Sequence, residues 1–192
     1  MHHFFAMMSR MKYIERWALM RNSIPENISE HSLEVSMLAH ALAVIGNRRF
    51  NKSLNAEKAA LIGLYHDSTE ILTGDMPTPI KYYNPEIKKA FKDIEDTAAH
   101  NLLSMLPEDL QADYLDVFFP DEKEAYLHRL VKAADKLSAL IKCIEESKTG
   151  NKEFISAQAT LQQSIAELNL EEVNEFIKDF LPSYSLTLDE LR

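Results

Sequence analysis

Apolar residues recur at three- and four-residue spacings along almost the whole chain, the period of a helix with one buried face. Phe4, Met7, Met8, Met11, Ile14 and Ala18 open the pattern and predict a helix over residues 4–19. After Asn84-Pro85, a pair suited to starting a helix, Ile87, Ala90, Phe91, Ile94, Ala98 and Leu102 form a stripe. From Asp121 to about residue 147, Leu127, Leu130, Val131, Ala134, Leu137, Ile141 and Ile144 mark the inward face of a long helix. Only 4 glycines punctuate the 192 residues, and Gly46, Gly74 and Gly150 fall where the pattern predicts helix stops. Sandwiches and barrels use more glycine at their turns. The expectation is an all-α helical bundle, with residues 1–192 as one domain.

The segments between these helices are punctuated by turn chemistry. Residues 20–29 read as a loop broken at Pro25, with Ser29 to cap a helix over 30–45 and Gly46 to stop it. Asn55 caps a third helix over 56–67 that ends in the sequence LYHD. A short helical turn fits residues 68–72, after which Gly74, Pro77 and Pro79 force an irregular stretch. A shorter helix follows Pro107, and residues 152–181 hold one helix or two, broken near Asn169.

Hydrophobic residues at 46% and charged residues at 27% are the balance of an ordinary globular protein, which excludes disordered and collagen-like classes. Lys plus Arg total 21 against 30 Asp plus Glu, a formal charge of −9. That sign argues against polymeric nucleic acid and membrane surfaces as partners. A small anionic substrate is still compatible with it, because a bound metal and one Arg reverse the field locally. The single cysteine, Cys143, lies in an apolar helical run and reads as a core residue in a reduced, cytoplasmic setting. Charged residues Arg10, Lys12, Glu15 and Arg16 arrive too soon for a signal-peptide core, and no apolar run reaches the ~18 residues of a membrane span.

The informative residues are polar groups inside apolar helical runs. His31 falls in the first turn of the second helix, His66 and Asp67 end the third, and Asp135 sits mid-helix in VKAADKLSALIKC. A carboxylate there is costly to bury unless it is paired or bound to metal. Two imidazoles and two carboxylates suit one divalent transition metal of the Mn, Co, Fe or Zn kind better than Mg or Ca. Taken singly each has a bland reading: His31 as a helix-start hydrogen-bonder, Asp135 as a salt-bridged surface residue. His40, His100 and His128 lack such context and read as structural or exposed.

Order and spacing join the four. A His near a helix start, a His-Asp pair further on and an Asp well beyond it resemble the HD-domain phosphohydrolase superfamily. The segments RWALMRN, ENISEHSLEV, LYHDSTEILTGDMPTPIKYYN, VKAADKLSALIKC and FLPSYSLTLDE together resemble the bacterial HD-domain 5′-deoxynucleotidases, over nearly the whole chain. The resemblance implies that His31, His66, Asp67 and Asp135 hold the metal. It implies deoxyribonucleoside 5′-monophosphates as substrates, with Arg16 orienting the phosphate and Trp17 shaping the sugar pocket. It further implies Glu70 as the acid/base residue and Asp75, Met76, Pro77 and Thr78 as nucleotide contacts, with His31, Asp67 and Asp135 also facing the substrate. A homodimer is likewise an implication of the resemblance.

The residue chemistry agrees with those roles. Arg16 presents a planar fork of donors that matches a phosphate. Glu70 lies three residues after Asp67, so one helical turn puts both on one side. Asp75 follows Gly74 in a tight segment, where its carboxylate is able to accept from a 3′-hydroxyl. Three other readings compete: an HD phosphodiesterase or triphosphohydrolase, a non-catalytic nucleotide sensor, and a purely structural bundle.

Overall fold

The helical period is realised: the computed structural model describes residues 1–81, 83–119 and 121–192 and contains no β-strand among them. The helices are α1 (Phe4–Met8), α2 (Ile28–Arg49), α3 (Ala56–Tyr65), α4 (Glu70–Thr73), α5 (Thr78–Lys81), α6 (Pro85–Ser104), α7 (Glu108–Phe118), α8 (Ala125–Lys148), α9 (Ile155–Ala166) and α10 (Glu171–Asp179). Short 3₁₀ turns precede or follow several of them, at Ser9–Tyr13, Glu122–Glu124, Lys152–Phe154 and Leu181–Ser185. No described helix is long and apolar enough to cross a membrane.

Helix starts follow side-chain capping. Asn55 Oδ1 accepts from the Lys58 N–H at 2.9 Å, and Asn84 Oδ1 from the Ile87 N–H at 2.7 Å, as their sequence positions predict. The α2 start differs from expectation. Asn27, rather than Ser29, is the cap: its Oδ1 accepts from the N–H groups of Ser29 and Glu30 at 3.0 and 3.1 Å. The Glu30 carboxylate accepts from the Asn27 N–H in return, at 3.3 Å. This reciprocal arrangement satisfies donors that the helix itself leaves open.

Residues fall into two compact units. The first comprises Met1–Arg21, Pro25–Ser32 and Tyr65–Asp121. Its core centres on Phe4, 1% exposed, with Leu102, Leu103 and Leu106. The Phe4 ring meets Tyr114 and Phe118 edge-on at centroid distances of 5.2 and 6.1 Å, and lies 6.4 Å from Tyr65. Tyr65 immediately precedes His66-Asp67, so this aromatic packing anchors the chain entering the site. In α6 the buried positions are Phe91, Ala98, Ala99, Leu102 and Leu103; Ala90 and Ile94, both in the expected stripe, are exposed.

The second unit comprises Asn22–Ile24, Leu33–Leu64 and Glu122–Arg192, around a core that includes Leu42, Ile62, Leu130, Leu137, Leu140 and Ile141. Cys143 is fully buried there, as expected. Helices α2 and α3 approach closely at Gly63, where an added Cβ meets backbone atoms of Ser36 at 3.0 and 3.1 Å. The Ser36 hydroxyl donates to the Ala60 carbonyl at 2.8 Å beside it.

Gly46 does not stop α2, which continues to Arg49. Its small size has a packing cause instead: a Cβ there lies 2.9 Å from both Glu172 Oε1 and Leu54 Cδ1. The helix ends at Phe50–Asn51, with Asn51 at φ 53 and the Lys52 N–H bonded back to the Gly46 carbonyl. Asn169, at φ 48, separates α9 from α10 where the sequence allows a break.

The expected helix over 4–19 is the largest departure. It tightens to a 3₁₀ turn at Ser9, becomes extended at Ile14 and pairs with a later segment through an antiparallel bridge between Glu15 and Asn27. Backbone pairing with residues 26–28 replaces the helical bonds that residues 14–19 would have made. Arg16 and Trp17 consequently lie on a loop. The third helix closes at Tyr65, leaving His66 and Asp67 in the following turn, and Thr78–Lys81 forms a short helix where irregular chain is expected.

Candidate active site

The turn after α3 and the first turn of α2 bring three potential ligands together in the first unit, two imidazoles and a carboxylate. One ligand atom each from His31, His66 and Asp67 lies within 4.8 Å of the others. His31 Nε2 is 3.4 Å and His66 Nε2 3.2 Å from Asp67 Oδ2, and the two imidazole centroids are 5.2 Å apart. His31 is fully buried, and its Nδ1 accepts from Arg16 Nη1 at 2.7 Å, since a guanidinium has donors only. Burial works against the charge of Asp67, but His66, His31 and Arg16 hold its carboxyl well below the usual range. An ionised carboxylate beside two imidazoles fits a divalent metal of borderline character.

Glu70 opens α4, one turn beyond Asp67. It is 7% exposed, and its Oε2 makes no hydrogen bond among the described residues. Burial, then the negative charges of Asp67 and Asp75, push its carboxyl up to about 9, against the pull of Lys81 and Arg16. A carboxyl of this kind holds a proton at neutral pH and gives it up beside added positive charge.

Gly74, at φ 72, turns the chain out of α4 and presents Asp75. Burial raises the Asp75 carboxyl while Arg16 and a hydrogen bond from the Trp17 backbone N–H lower it; the net displacement is upward. Met76 and Pro77 are partly buried beside it, and Thr78 is exposed at the start of α5.

Arg16 and Trp17 meet a residue that the sequence did not single out. Glu26 Oε2 accepts from both Arg16 Nη1 and Trp17 Nε1, each at 2.9 Å. Glu26 opens the segment ENISEHSLEV, but a single acidic residue after Pro25 carries no periodicity, and its two side-chain partners show only in the folded loop.

Arg16, Trp17, Glu26, His31, His66, Asp67, Glu70 and Asp75 all belong to the first unit. Asp135 is half-buried in the middle of α8, in the second unit, between the buried residues Ala134 and Leu137. Of the other histidines, His40 is exposed, His100 Nδ1 bonds the Asp96 carbonyl at 2.7 Å, and His128 is partly buried.

The helical arrangement is that of HD-domain phosphohydrolases. The chain is similar to the crystal structure of an HD-domain phosphohydrolase from Listeria innocua, with a TM-score of 0.82 at 22% identity over 95% of this chain and 88% of that one. It is also similar to a cyanophage S-2L HD phosphohydrolase described as bound to dA and one catalytic Zn2+ ion, with a TM-score of 0.64 at 21% identity over 95% and 96% of the two chains. Within that fold class the chain belongs to the YfbR-like 5′-deoxynucleotidase family, whose sequence description matches residues 3–184. It is 50% identical to a 5′-deoxynucleotidase of Vibrio parahaemolyticus over 98% of this chain and 97% of that one. It is 52% identical to a 5′-deoxynucleotidase of Yersinia pestis over 100% and 97%. The all-α expectation and the family resemblance read from the sequence are thus both met.

Proposed function

We propose that this chain is a metal-dependent phosphomonoesterase that converts deoxyribonucleoside 5′-monophosphates to deoxyribonucleosides and phosphate. The observation that carries the reading is identity of about half the residues, end to end, with proteins named 5′-deoxynucleotidases. The His31–His66–Asp67 cluster supports it chemically. These three residues, with Asp135 as a fourth ligand, would hold one divalent transition metal of the Co, Mn, Fe or Zn kind. Such a cation supplies Lewis acidity, which acidifies a water and draws charge from a phosphoryl oxygen.

The chain's own residues do the rest. Arg16 orients the phosphate through its planar donors. Trp17 sets an apolar wall against the 2′ side of the sugar, and Asp75 accepts from the 3′-hydroxyl. Met76, Pro77 and Thr78 line the nucleotide beside it. Glu70 takes a proton from the attacking water and returns it to the leaving O5′ as the P–O5′ bond breaks. Burial and the charges of Asp67 and Asp75 hold its carboxyl protonated at neutral pH, so it would accept that proton only where a bound cation had drawn off its own.

A homodimer and a cytoplasmic setting complete the proposal. Leu33, Met37 and Val44 recur along one side of α2, exposed, with Leu61 and Leu64 exposed on the adjacent α3. Such a stripe is the kind of surface that a second copy covers.

The test is phosphate release from a panel of nucleoside mono-, di-, tri- and cyclic phosphates, after chelation and after return of single divalent metals. The expected result is metal-restored release confined to deoxyribonucleoside 5′-monophosphates. Turnover of triphosphates or cyclic nucleotides in their place, or binding without turnover, overturns the reading.

A further inference from the structure

The loop between residues 14 and 28 is stitched by its backbone. The Ile28 N–H donates to the Ile14 carbonyl and the Arg16 N–H to the Glu26 carbonyl, both at 2.9 Å. This pairing brings the Glu26 side chain alongside Arg16 and Trp17. A single oxygen, Oε2, then accepts both the guanidinium and the indole N–H. Arg16 and Glu26 are each only 13% exposed, so solvent screens their pairing weakly.

Trp17 also pays a backbone cost. Its φ of 60 is a left-handed conformation that a bulky residue adopts only when its surroundings over-determine it. Its carbonyl accepts from the Met20 N–H at 2.8 Å. Its backbone N–H is bonded to the Asp75 carboxylate, and its indole N–H to Glu26. The Arg16 guanidinium lies 5.8 Å from the indole centroid, so cation and ring form one adjoining surface.

We infer that Glu26 is a positioning residue for substrate recognition: through Oε2 it locks the Arg16 guanidinium and the Trp17 indole into one rigid unit, which sets where a phosphate held by the first places the sugar against the second. Its carboxylate is needed for a physical reason. Hydrogen bonds to an ionised acceptor are about twice as strong as neutral ones. An amide at this position retains an oxygen for the indole but loses the charge that holds the guanidinium. The inference rests on the proposed roles of Arg16 and Trp17.

Trp17 is the only tryptophan in the chain, so its fluorescence reads the indole without interference. Native protein, Glu26→Gln and Glu26→Ala are compared in acrylamide quenching, and these with Trp17→Phe in thermal melting and in kcat and KM for dAMP and AMP. In Glu26→Ala the indole becomes more quenchable and the dAMP-to-AMP ratio of kcat/KM falls about tenfold, the loss expected when a 2′-hydroxyl is no longer excluded. In Glu26→Gln quenching and the sugar ratio stay near native, and KM rises for both nucleotides with kcat little changed. Native quenching or a native sugar ratio in Glu26→Ala overturns the inference. Should Glu26→Ala fail to melt cooperatively, Glu26→Gln decides, and a native KM there overturns it. The Trp17→Phe variant separates the two levels. A native sugar ratio in that variant marks failure of the underlying reading of the indole. A lost ratio there, with native behaviour in Glu26→Ala, marks failure of the Glu26 role alone.

Discussion

Both carboxylate oxygens of Glu146 accept from the backbone N–H of Ser23, at 3.0 and 2.9 Å, so the last turns of α8 hold the middle of the loop that follows Trp17. Glu146 is 1% exposed and also accepts from Lys142 and from Asn151 Nδ2, while the Lys142 ammonium donates to the Ile24 carbonyl. Burial pushes the Glu146 carboxyl up, but Lys142, Asn151 and Ser23 together hold it down at about 2. Its folded value is therefore below its unfolded one. The stabilisation is complete above about pH 4.5 and is lost as pH falls toward 2, for a total of roughly 3 kcal/mol. Urea unfolding across this range should show that slope in native protein and a much shallower one in Glu146→Gln. At neutral pH Glu146→Ala leaves Lys142 buried beside no carboxylate and should cost about 3–5 kcal/mol.

Gly63→Ala tests the close approach of α2 and α3. In an open helix the change gains about 1 kcal/mol from propensity. Here the new Cβ meets Ser36 backbone atoms at 3.0 and 3.1 Å, and backbone does not yield as a side-chain tip does. The expected net effect is destabilisation by about 1–3 kcal/mol, read as a lower urea midpoint with an unchanged slope. A midpoint at or above native shows that the helices separate without cost.

Phe4→Ala empties the centre of the ring cluster formed with Tyr65, Tyr114 and Phe118. Truncating a buried Phe costs about 3–5 kcal/mol, and Phe4→Leu should recover a large part of it. Thermal melting of the two variants checks the order; equal melting temperatures for native and Phe4→Ala remove Phe4 from the core.

What the sequence made legible divides along physical lines. Helix starts at Asn55 and Asn84 were readable because a side-chain cap is a local interaction. The His31, His66 and Asp67 set was readable because polar groups in apolar runs break a periodic pattern, and the structure brings these three together. Ile14 and Ala18 continue the helical spacing across Arg16 and Trp17, but long-range pairing with residues 26–28 overrides that local signal. Gly46 reads locally as a helix stop, because its packing partners, Leu54 and Glu172, do not show in the sequence, one of them 126 positions away in the chain. Glu26 lies in the quoted segment ENISEHSLEV, but nothing local distinguishes it; its pairing with Arg16 and Trp17 depends on what the folded loop sets beside it.

Glu70→Gln keeps the shape of the buried side chain and removes its proton exchange. Under the proposed role, turnover should fall by about 10²–10⁴ while metal content and substrate affinity stay near native. Single-turnover phosphate release measures the first and elemental analysis with dAMP binding the second. A near-native kcat removes Glu70 from the acid/base role, and lost metal reassigns it to holding the cation.

Asp135→Ala asks whether the ligand set has three members or four. His31, His66 and Asp67 already converge, with their ligand atoms within 4.8 Å. Two neutral imidazoles and one carboxylate leave a divalent cation with net positive charge, and a second carboxylate neutralises it. Asp135 is a half-buried carboxylate on α8, flanked by Ala134 and Leu137, both fully buried. Removing a true ligand should weaken metal affinity by at least the roughly 10–100-fold seen when groups supporting a ligand are lost. His66→Ala provides the scale, since it deletes a member of the converged cluster. Equilibrium dialysis of the two variants against graded free Zn2+ and Mn2+ then gives affinities, and circular dichroism confirms folding. Comparable losses in both variants support a four-ligand site. Native affinity in Asp135→Ala with a loss in His66→Ala restricts the protein ligands to the three converged residues and leaves Asp135 to the substrate or to the packing of α8.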